Sequence, residues 1–307
     1  MQGEKHIDSG SRDTAEARLA PTGRISASRS RLPAIDKRSN LFGAAQEAEG
    51  LKHSNPPLAL NYHGVARVSL RRDPRNLFVA PEDLQKHITK LRAWGYVFAA
   101  FGDLADQVSE GRGVNSVSLT FDDGLLDNLT TLLPLLRAEN VPATVFAVPG
   151  WFGEPHPDAP WTRIMTADEV RELAANGIEI GAHSMTHRDL SALSYEDAHG
   201  ELLTSKRVLE ELLQAPVSVA AYPYGHSSEE TRRACRDAGF RFACAAKGLG
   251  AWTDPYALPR HGIGNGSTIL SLRLKRNPRY HGLMDSRPLS LGRGAVRTWI
   301  RLTQRGS

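Results

Sequence analysis

Three observations predict a parallel α/β domain of barrel size. Short apolar runs that read as strands alternate with amphipathic helical stretches from Pro56-Pro57 onward. The chain has 307 residues, 40% of them hydrophobic, which suits one barrel-sized core with tails better than two domains. The residues with chemistry to offer fall just after predicted strands, and a barrel brings such positions to one face.

Residues 1–55 are rich in Ser, Arg, Ala and Glu without sustained periodicity and read as a disordered tail. The first strand ends in Leu60-Asn61-Tyr62-His63-Gly64. Pro81-Glu82-Asp83-Leu84 opens a helix in which Leu84, Ile88, Leu91 and Trp94 form one stripe. Stretch 96–101 reads as a strand, and 116–121 as a half-buried strand by its alternation. A helix over 125–139 and a strand over 143–148 follow. The next segment, 149–161, holds Trp151, Phe152, His156 and Trp161 among prolines. It reads either as a stacking loop for sugar rings or as a stiff surface loop. Stretch 167–176 is a helix stopped by Gly177, and 178–182 is a strand. Ser194-Tyr195-Glu196-Asp197 resembles a capping box and opens a helix reaching Gln214. A strand over 217–222, a helix over 228–238 stopped by Gly239 and a strand over 241–245 complete the alternation. No internal repeat is evident.

Asp122-Asp123-Gly124 breaks the strand at 116–121. Neighbouring strand residues point to opposite sides, and Gly124 permits a sharp turn. One carboxylate is then free to ligate a cation while the other faces its bound water. Strand 178–182 delivers His183 to the same end of the sheet, and His187, four residues on, reaches the same ion. Alone, Asp-Asp-Gly reads as a turn and His-x-x-x-His as a solvated pair. Together, at strand ends in a βα repeat, they read as a site. Three protein ligands plus water leave the open position of a catalytic metal, and the spare carboxylate is a base. The set suits metal-assisted hydrolysis.

Thr120-Phe121-Asp122-Asp123-Gly124, His183-Ser184-Met185-Thr186-His187 and Ala220-Ala221-Tyr222-Pro223-Tyr224-Gly225 resemble three motifs of the polysaccharide deacetylase family, the carbohydrate esterases with NodB homology. The first two motifs are specific in combination. The resemblance implies a distorted (β/α) barrel of about seven strands, here a domain over 56–269, and removal of N-acetyl groups from amino sugars. It implies Asp122 as general base and Asp123, His183 and His187 as metal ligands. It also implies that the backbone N–H of Tyr224 steadies the oxyanion, with Tyr222 and Pro223 at the substrate. The family's proton donor is a His in Leu-x-His. Leu258-Pro259-Arg260-His261 has one residue too many. His261 is the first candidate donor, His63 the second and His226 the third. Many members carry a base-orienting Arg where this chain has Ala221, and Arg260 is a candidate substitute. Trp252, in Trp252-Thr253-Asp254-Pro255, loosely matches a motif whose aromatic lines the acetyl pocket. Plain packing is its other reading. Trp151, in 149–161, is a candidate sugar contact.

The donor set suits Zn²⁺, with Co²⁺, Ni²⁺ and Fe²⁺ open. Two cysteines, Cys235 and Cys244, make no disulfide framework and read as buried thiols. No run approaches 18 apolar residues, and the N-terminus lacks a signal-like apolar stretch. As written the chain reads as cytoplasmic, with export or membrane-surface association left open. Net charge is +4, unevenly spread. Residues 270–307 hold nine Lys/Arg against Asp285 alone, whereas 51–269 carry a net −5. The basic tail, with Val296, Trp299 and Ile300, reads as a solvated tail or as a peripheral contact with anionic membrane. Nothing else supports nucleic acid. The leading expectation is a metal-dependent N-deacetylase of an N-acetylated glycan. The alternatives are a deformylase or deacylase of another amide, a non-catalytic glycan-binding protein on the same fold, and a membrane-surface adaptor acting through the tail.

Overall fold

The computed structural model describes residues 55–245 and 252–276. The predicted N-terminal tail and most of the basic C-terminal one lie outside the described residues. Six parallel strands follow one another in hydrogen-bonded order: β1 (Leu58–Tyr62), β2 (Ser116–Phe121), β3 (Thr144–Ala147), β4 (Glu179–Ala182), β5 (Val219–Ala221) and β6 (Phe242–Ala245). A seventh, β7, comes in two halves. Leu258–Pro259 pairs with β6, and His261–Gly262 pairs with β1. Arg260 sits between the halves, and its N–H reaches the Ala245 carbonyl at 3.1 Å. Counted separately, the halves make eight parallel stretches. Counted as one strand, they make the seven-stranded, nearly closed barrel that the resemblance implied.

Seven helices are described: α1 (Pro81–Ala93), α2 (Phe101–Ser109), α3 (Leu133–Glu139), α4 (Ala167–Ala175), α5 (Tyr195–Leu213), α6 (Glu229–Asp237) and α7 (Ile269–Lys275). Strand alternation sorts the core into two layers. Leu58, Leu60, Tyr62, Leu119, Phe121, Val145 and Ile180 face outward and bury against the helices. Ala59, Phe146, Val219, Ala221, Cys244 and Leu258 fill the barrel. Gly181 is small for a reason: a Cβ there would lie 2.5 Å from the Phe146 ring.

The reading of 96–101 as a strand is only partly met. Val97–Phe98 pairs with the start of β2, and α2 begins at Phe101. What turns the chain into a helix is tertiary. The Phe101 N–H donates to Thr144 Oγ1 at 2.8 Å, and the Gly102 N–H donates to Glu179 Oε2 at 3.1 Å. A carboxylate at a helix N-terminus satisfies otherwise orphaned amides. Thr144 and Glu179 open their strands, so α2 plugs the N-terminal end of the barrel with Phe101, Leu104 and Ala105.

Segment 149–161 is more ordered than a loop. Pro155–His156 and Ala159–Arg163 form an antiparallel hairpin. The predicted helix over 125–139 begins as one wide π turn, Asn128–Leu132, before α3. At the C-terminal side the fold runs past residue 269, since α7 buries Leu272.

Candidate metal centre and active site

The chain turns sharply after β2. The Asp122 N–H bonds the Tyr62 carbonyl at 2.9 Å, and then Asp123 (φ 72°) and Gly124 (φ 75°) both take left-handed backbone. Such a conformation is costly for most side chains but tolerated by Asp. The hairpin braces the turn from outside. Met165 N–H donates to the Gly124 carbonyl at 2.9 Å, and Leu126 N–H to the Arg163 carbonyl at 3.0 Å. The two carboxylates consequently diverge, Asp122 into the barrel and Asp123 toward the histidines.

His183 leaves the end of β4, where its ring is buried. Its Nδ1 lies 2.8 Å from the Ala221 carbonyl. A carbonyl only accepts, so Nδ1 carries the proton and Nε2 is bare. Burial pushes this imidazole down to about 4, so it is neutral at neutral pH, the form that ligates a metal. His187 returns through a loop with Ser184 and His187 at positive φ. Glu201 of α5 holds that loop, accepting from the Met185 N–H at 3.0 Å and the Thr186 N–H at 2.8 Å. Asp123 Oδ1 then lies 3.6 Å from His183 Nε2 and 3.4 Å from His187 Nε2. Tetrahedral ligands at ordinary Zn–N and Zn–O lengths stand about 3.4 Å apart. Asp123 Oδ1 is buried and has no hydrogen-bond partner. A carboxylate oxygen with no hydrogen-bond partner, set between two imidazole nitrogens of which that of His183 is bare, fits a divalent cation.

Asp122 stays out of this trio, with Oδ2 3.8 Å from His183 Nε2. Its partner is Arg260, fully buried inside the barrel. The guanidinium clamps both oxygens, Nη1 to Oδ1 at 2.6 Å and Nη2 to Oδ2 at 2.9 Å. Nη1 also donates to Thr120 Oγ1 at 3.0 Å, and the group lies 5.1 Å over the Phe146 ring. Burial alone would raise the Asp122 carboxyl. The charge of Arg260, helped by His183, His63 and the hydrogen bonds, outweighs burial and holds it below its ordinary value.

The other predicted residues separate. His63 directly follows β1, close enough for its charge to act on both Asp122 and Asp123. Its carbonyl accepts from Asn128 Nδ2 at 3.0 Å, and the buried Asp127 carboxylate accepts the nearby Val65 N–H. His261 pairs with Leu60. It is one residue past the inward Arg260, so its side chain leaves β7 on the opposite side. His226 is a surface residue 2.9 Å from Asp189. Tyr224 sits at φ 59° and is 58% exposed, its ring 4.9 Å from that of His187. Trp151 flanks the same imidazole at 4.7 Å.

Two expected substrate contacts need correction. Tyr222 is fully buried under the helices, and its hydroxyl donates to the Tyr256 carbonyl at 2.9 Å. It follows the inward Ala221, so strand parity turns it outward. Trp252 packs with Val108 against the cluster containing Phe101 and Leu104, at the plugged end of the barrel. Pro223 is buried as well, in the turn that carries Tyr224. Sequence reasoning missed His156, whose Nε2 lies 3.1 Å from Asp123 Oδ2. No motif spacing connects residues 33 apart through an irregular hairpin.

Residues 110–243 match the family model described as polysaccharide deacetylase. A Bacillus subtilis (strain 168) protein named as a candidate polysaccharide deacetylase, YxkH, is 26% identical over 203 residues, 66% of either chain. The chitooligosaccharide deacetylase of Sinorhizobium fredii (strain NBRC 101917 / NGR234) is 33% identical over 131 residues, 42% of this chain and 56% of that one. The chain thus spans between half and two thirds of the length of these relatives. Among solved structures, the Streptococcus pyogenes deacetylase PplD in complex with acetate aligns with a TM-score of 0.63 at 22% identity. That alignment covers 73% of this chain and 99% of the other, and it establishes the fold alone.

Two outcomes follow from this electrostatic layout. Arg260→Met strands a buried carboxylate and is expected to cost about 3–5 kcal/mol in urea denaturation. Adding Asp122→Asn should recover part of that loss. The second outcome concerns Asp127, which burial pushes up from 3.8 to about 6. The folded state therefore holds a proton that the unfolded chain has released, and Asp127 costs stability as pH rises through about 6. In metal-free protein, Asp127→Asn should be more stable than the parent by about 2 kcal/mol above roughly pH 7. That gap should close by about pH 4.

Proposed function

We propose that this chain, which carries a polysaccharide deacetylase domain, is a metal-dependent hydrolase that removes N-acetyl groups from an amino-sugar-containing glycan. The observation that carries the reading is the division of labour between adjacent carboxylates. Asp123 presents one oxygen to the Nε2 atoms of two imidazoles, while Asp122 is clamped in its ionised form by Arg260. A pure binding module has no use for an ionised base held beside a cation site.

Asp123 Oδ1, His183 Nε2 and His187 Nε2 would hold the ion. Zn²⁺ suits them best, and Co²⁺, Ni²⁺ or Fe²⁺ suit the same donors. When bound, the ion lowers the pKa of water and polarises the acetyl carbonyl. Asp122 takes the proton of the attacking water as its oxygen bonds the acyl carbon. The backbone N–H of Tyr224 donates to the carbonyl oxygen as that atom gains charge. The C–N bond then breaks, and the departing amine needs a proton. His63, on the site's own rim, supplies it in preference to His261, which leaves its strand on the other side from Arg260. The substrate reading rests on the chitooligosaccharide deacetylase likeness and on Tyr224 and Trp151, whose rings flank the metal trio and offer apolar faces to a sugar.

Acetate release from N-acetylglucosamine oligomers tests the reading. Zn²⁺-reconstituted protein should release acetate, and chelation should stop it reversibly. Asp122→Asn should lower turnover by at least about 10²-fold with the metal retained. Wild-type turnover in that variant would sink the role of the base. For His63→Gln a loss of about 10²-fold in kcat is expected, again with metal in place. An unchanged kcat would return the donor role to another group. A tightly bound metal with no acetate from any sugar would overturn the glycan substrate.

A further inference from the structure

We propose that His156 is a positioning residue that fixes Asp123 as a one-oxygen ligand and so sets the affinity of the metal centre. The inference rests on the reading of Asp123, His183 and His187 as that centre.

His156 comes from the tip of the hairpin, outside both motifs. It is 3% exposed, and each ring nitrogen has a defined partner. The Asp158 N–H lies 3.1 Å from Nδ1, and Asp123 Oδ2 lies 3.1 Å from Nε2. An amide N–H can only donate, so Nδ1 is the acceptor and Nε2 of the neutral ring bears the hydrogen. That hydrogen can only go to Oδ2. The two oxygens of Asp123 are thereby made unequal: Oδ2 is occupied by the imidazole, and Oδ1 faces the two ligand nitrogens without a partner.

The same assignment excludes His156 as a fourth ligand, because neither of its nitrogens is bare. The open coordination position that catalysis needs is preserved. The contact is not the turn's only tie. Arg163 of the hairpin and Met165 just beyond it already hold the turn through backbone bonds with Leu126 and Gly124. A polar ring is costly to bury unless its hydrogen bonds are used, and the use here is the carboxylate. Released from His156, Asp123 would rotate about its side-chain bonds or chelate through both oxygens. Either change loosens the trio and fills space the substrate carbonyl requires. Outer partners of this kind are worth about 10- to 100-fold in metal affinity.

The test is Zn²⁺ binding to the metal-stripped full chain by chelator competition, with Zn²⁺ alone as the probe. His156→Leu should weaken binding by about 10- to 100-fold. His156→Gln should regain most of it, because its amide N–H can still donate to Oδ2. Thermal melting of the metal-free variants separates this effect from misfolding, and the Gln variant carries the test if the Leu variant does not fold. Equal Zn²⁺ affinity in wild type and a folded His156→Leu, or a Gln variant no better than Leu, overturns the proposal. A wild type that binds no Zn²⁺ overturns both this inference and the metal-dependent reading. Tight wild-type binding, weak His156→Leu binding and no acetate from any glycan would uphold the role of His156 while removing the deacetylase reading.

Discussion

The buried ion pair between Asp122 and Arg260 is the constraint on which the site depends. Removing a guanidinium from water is expensive, and its attraction to a carboxylate repays this only in good geometry with extra hydrogen bonds. Arg260 has both, in a two-point clamp, a third bond to Thr120 and the face of Phe146. The residue is also structural, since its own strand supplies the last rung of the barrel on either side of it. Closure of the fold and preparation of the base are therefore one event. Two buried carboxylates face one buried guanidinium, and His183 is neutral. The second carboxylate, Asp123, keeps one buried oxygen without a hydrogen-bond partner. The protein half of the site is electrostatically incomplete in the way a cation completes.

Much of this was legible because it is local. Asp122, Asp123, His183 and His187 sit at strand ends, and a strand end announces itself through alternation followed by a break. The order of strands and helices was readable for the same reason. What escaped depends on distance in the chain. Arg260 meets Asp122 across 138 residues, and the sequence offered only a candidate cation in a misspaced motif. His156 was visible as a residue but not as a neighbour of Asp123. The start of α2 is dictated by Thr144 and Glu179, from strands much further along, so the apolar stretch 96–101 was ambiguous on its own. Tyr222 and Trp252 were assigned by motif likeness; full burial removes Tyr222 from the substrate side, and Trp252 packs half-buried against the core.

The aromatic residues around His187 show how the two kinds of information combine. Trp151 and Tyr224 come from segments over seventy residues apart, yet their rings flank one imidazole. Tyr224 holds its place through a left-handed backbone that only the tight turn at Pro223–Gly225 explains. Strain of that sort is tolerated where geometry matters more than stability.

The split last strand has an evolutionary corollary. Side chains on a strand have a period of two, so slipping by one residue exchanges inside for outside. In β7 that exchange is between neighbours of opposite chemistry, a permanent cation at 260 and a titratable imidazole at 261. A slip of one position along the strand would withdraw the guanidinium from the base and present its neighbour instead, Pro259 in one direction and His261 in the other. Surface connections ordinarily drift in length with little penalty. The placement of Arg260 is held by the strand itself, through the Ala245 carbonyl on one side and the pairing of His261 with Leu60 on the other.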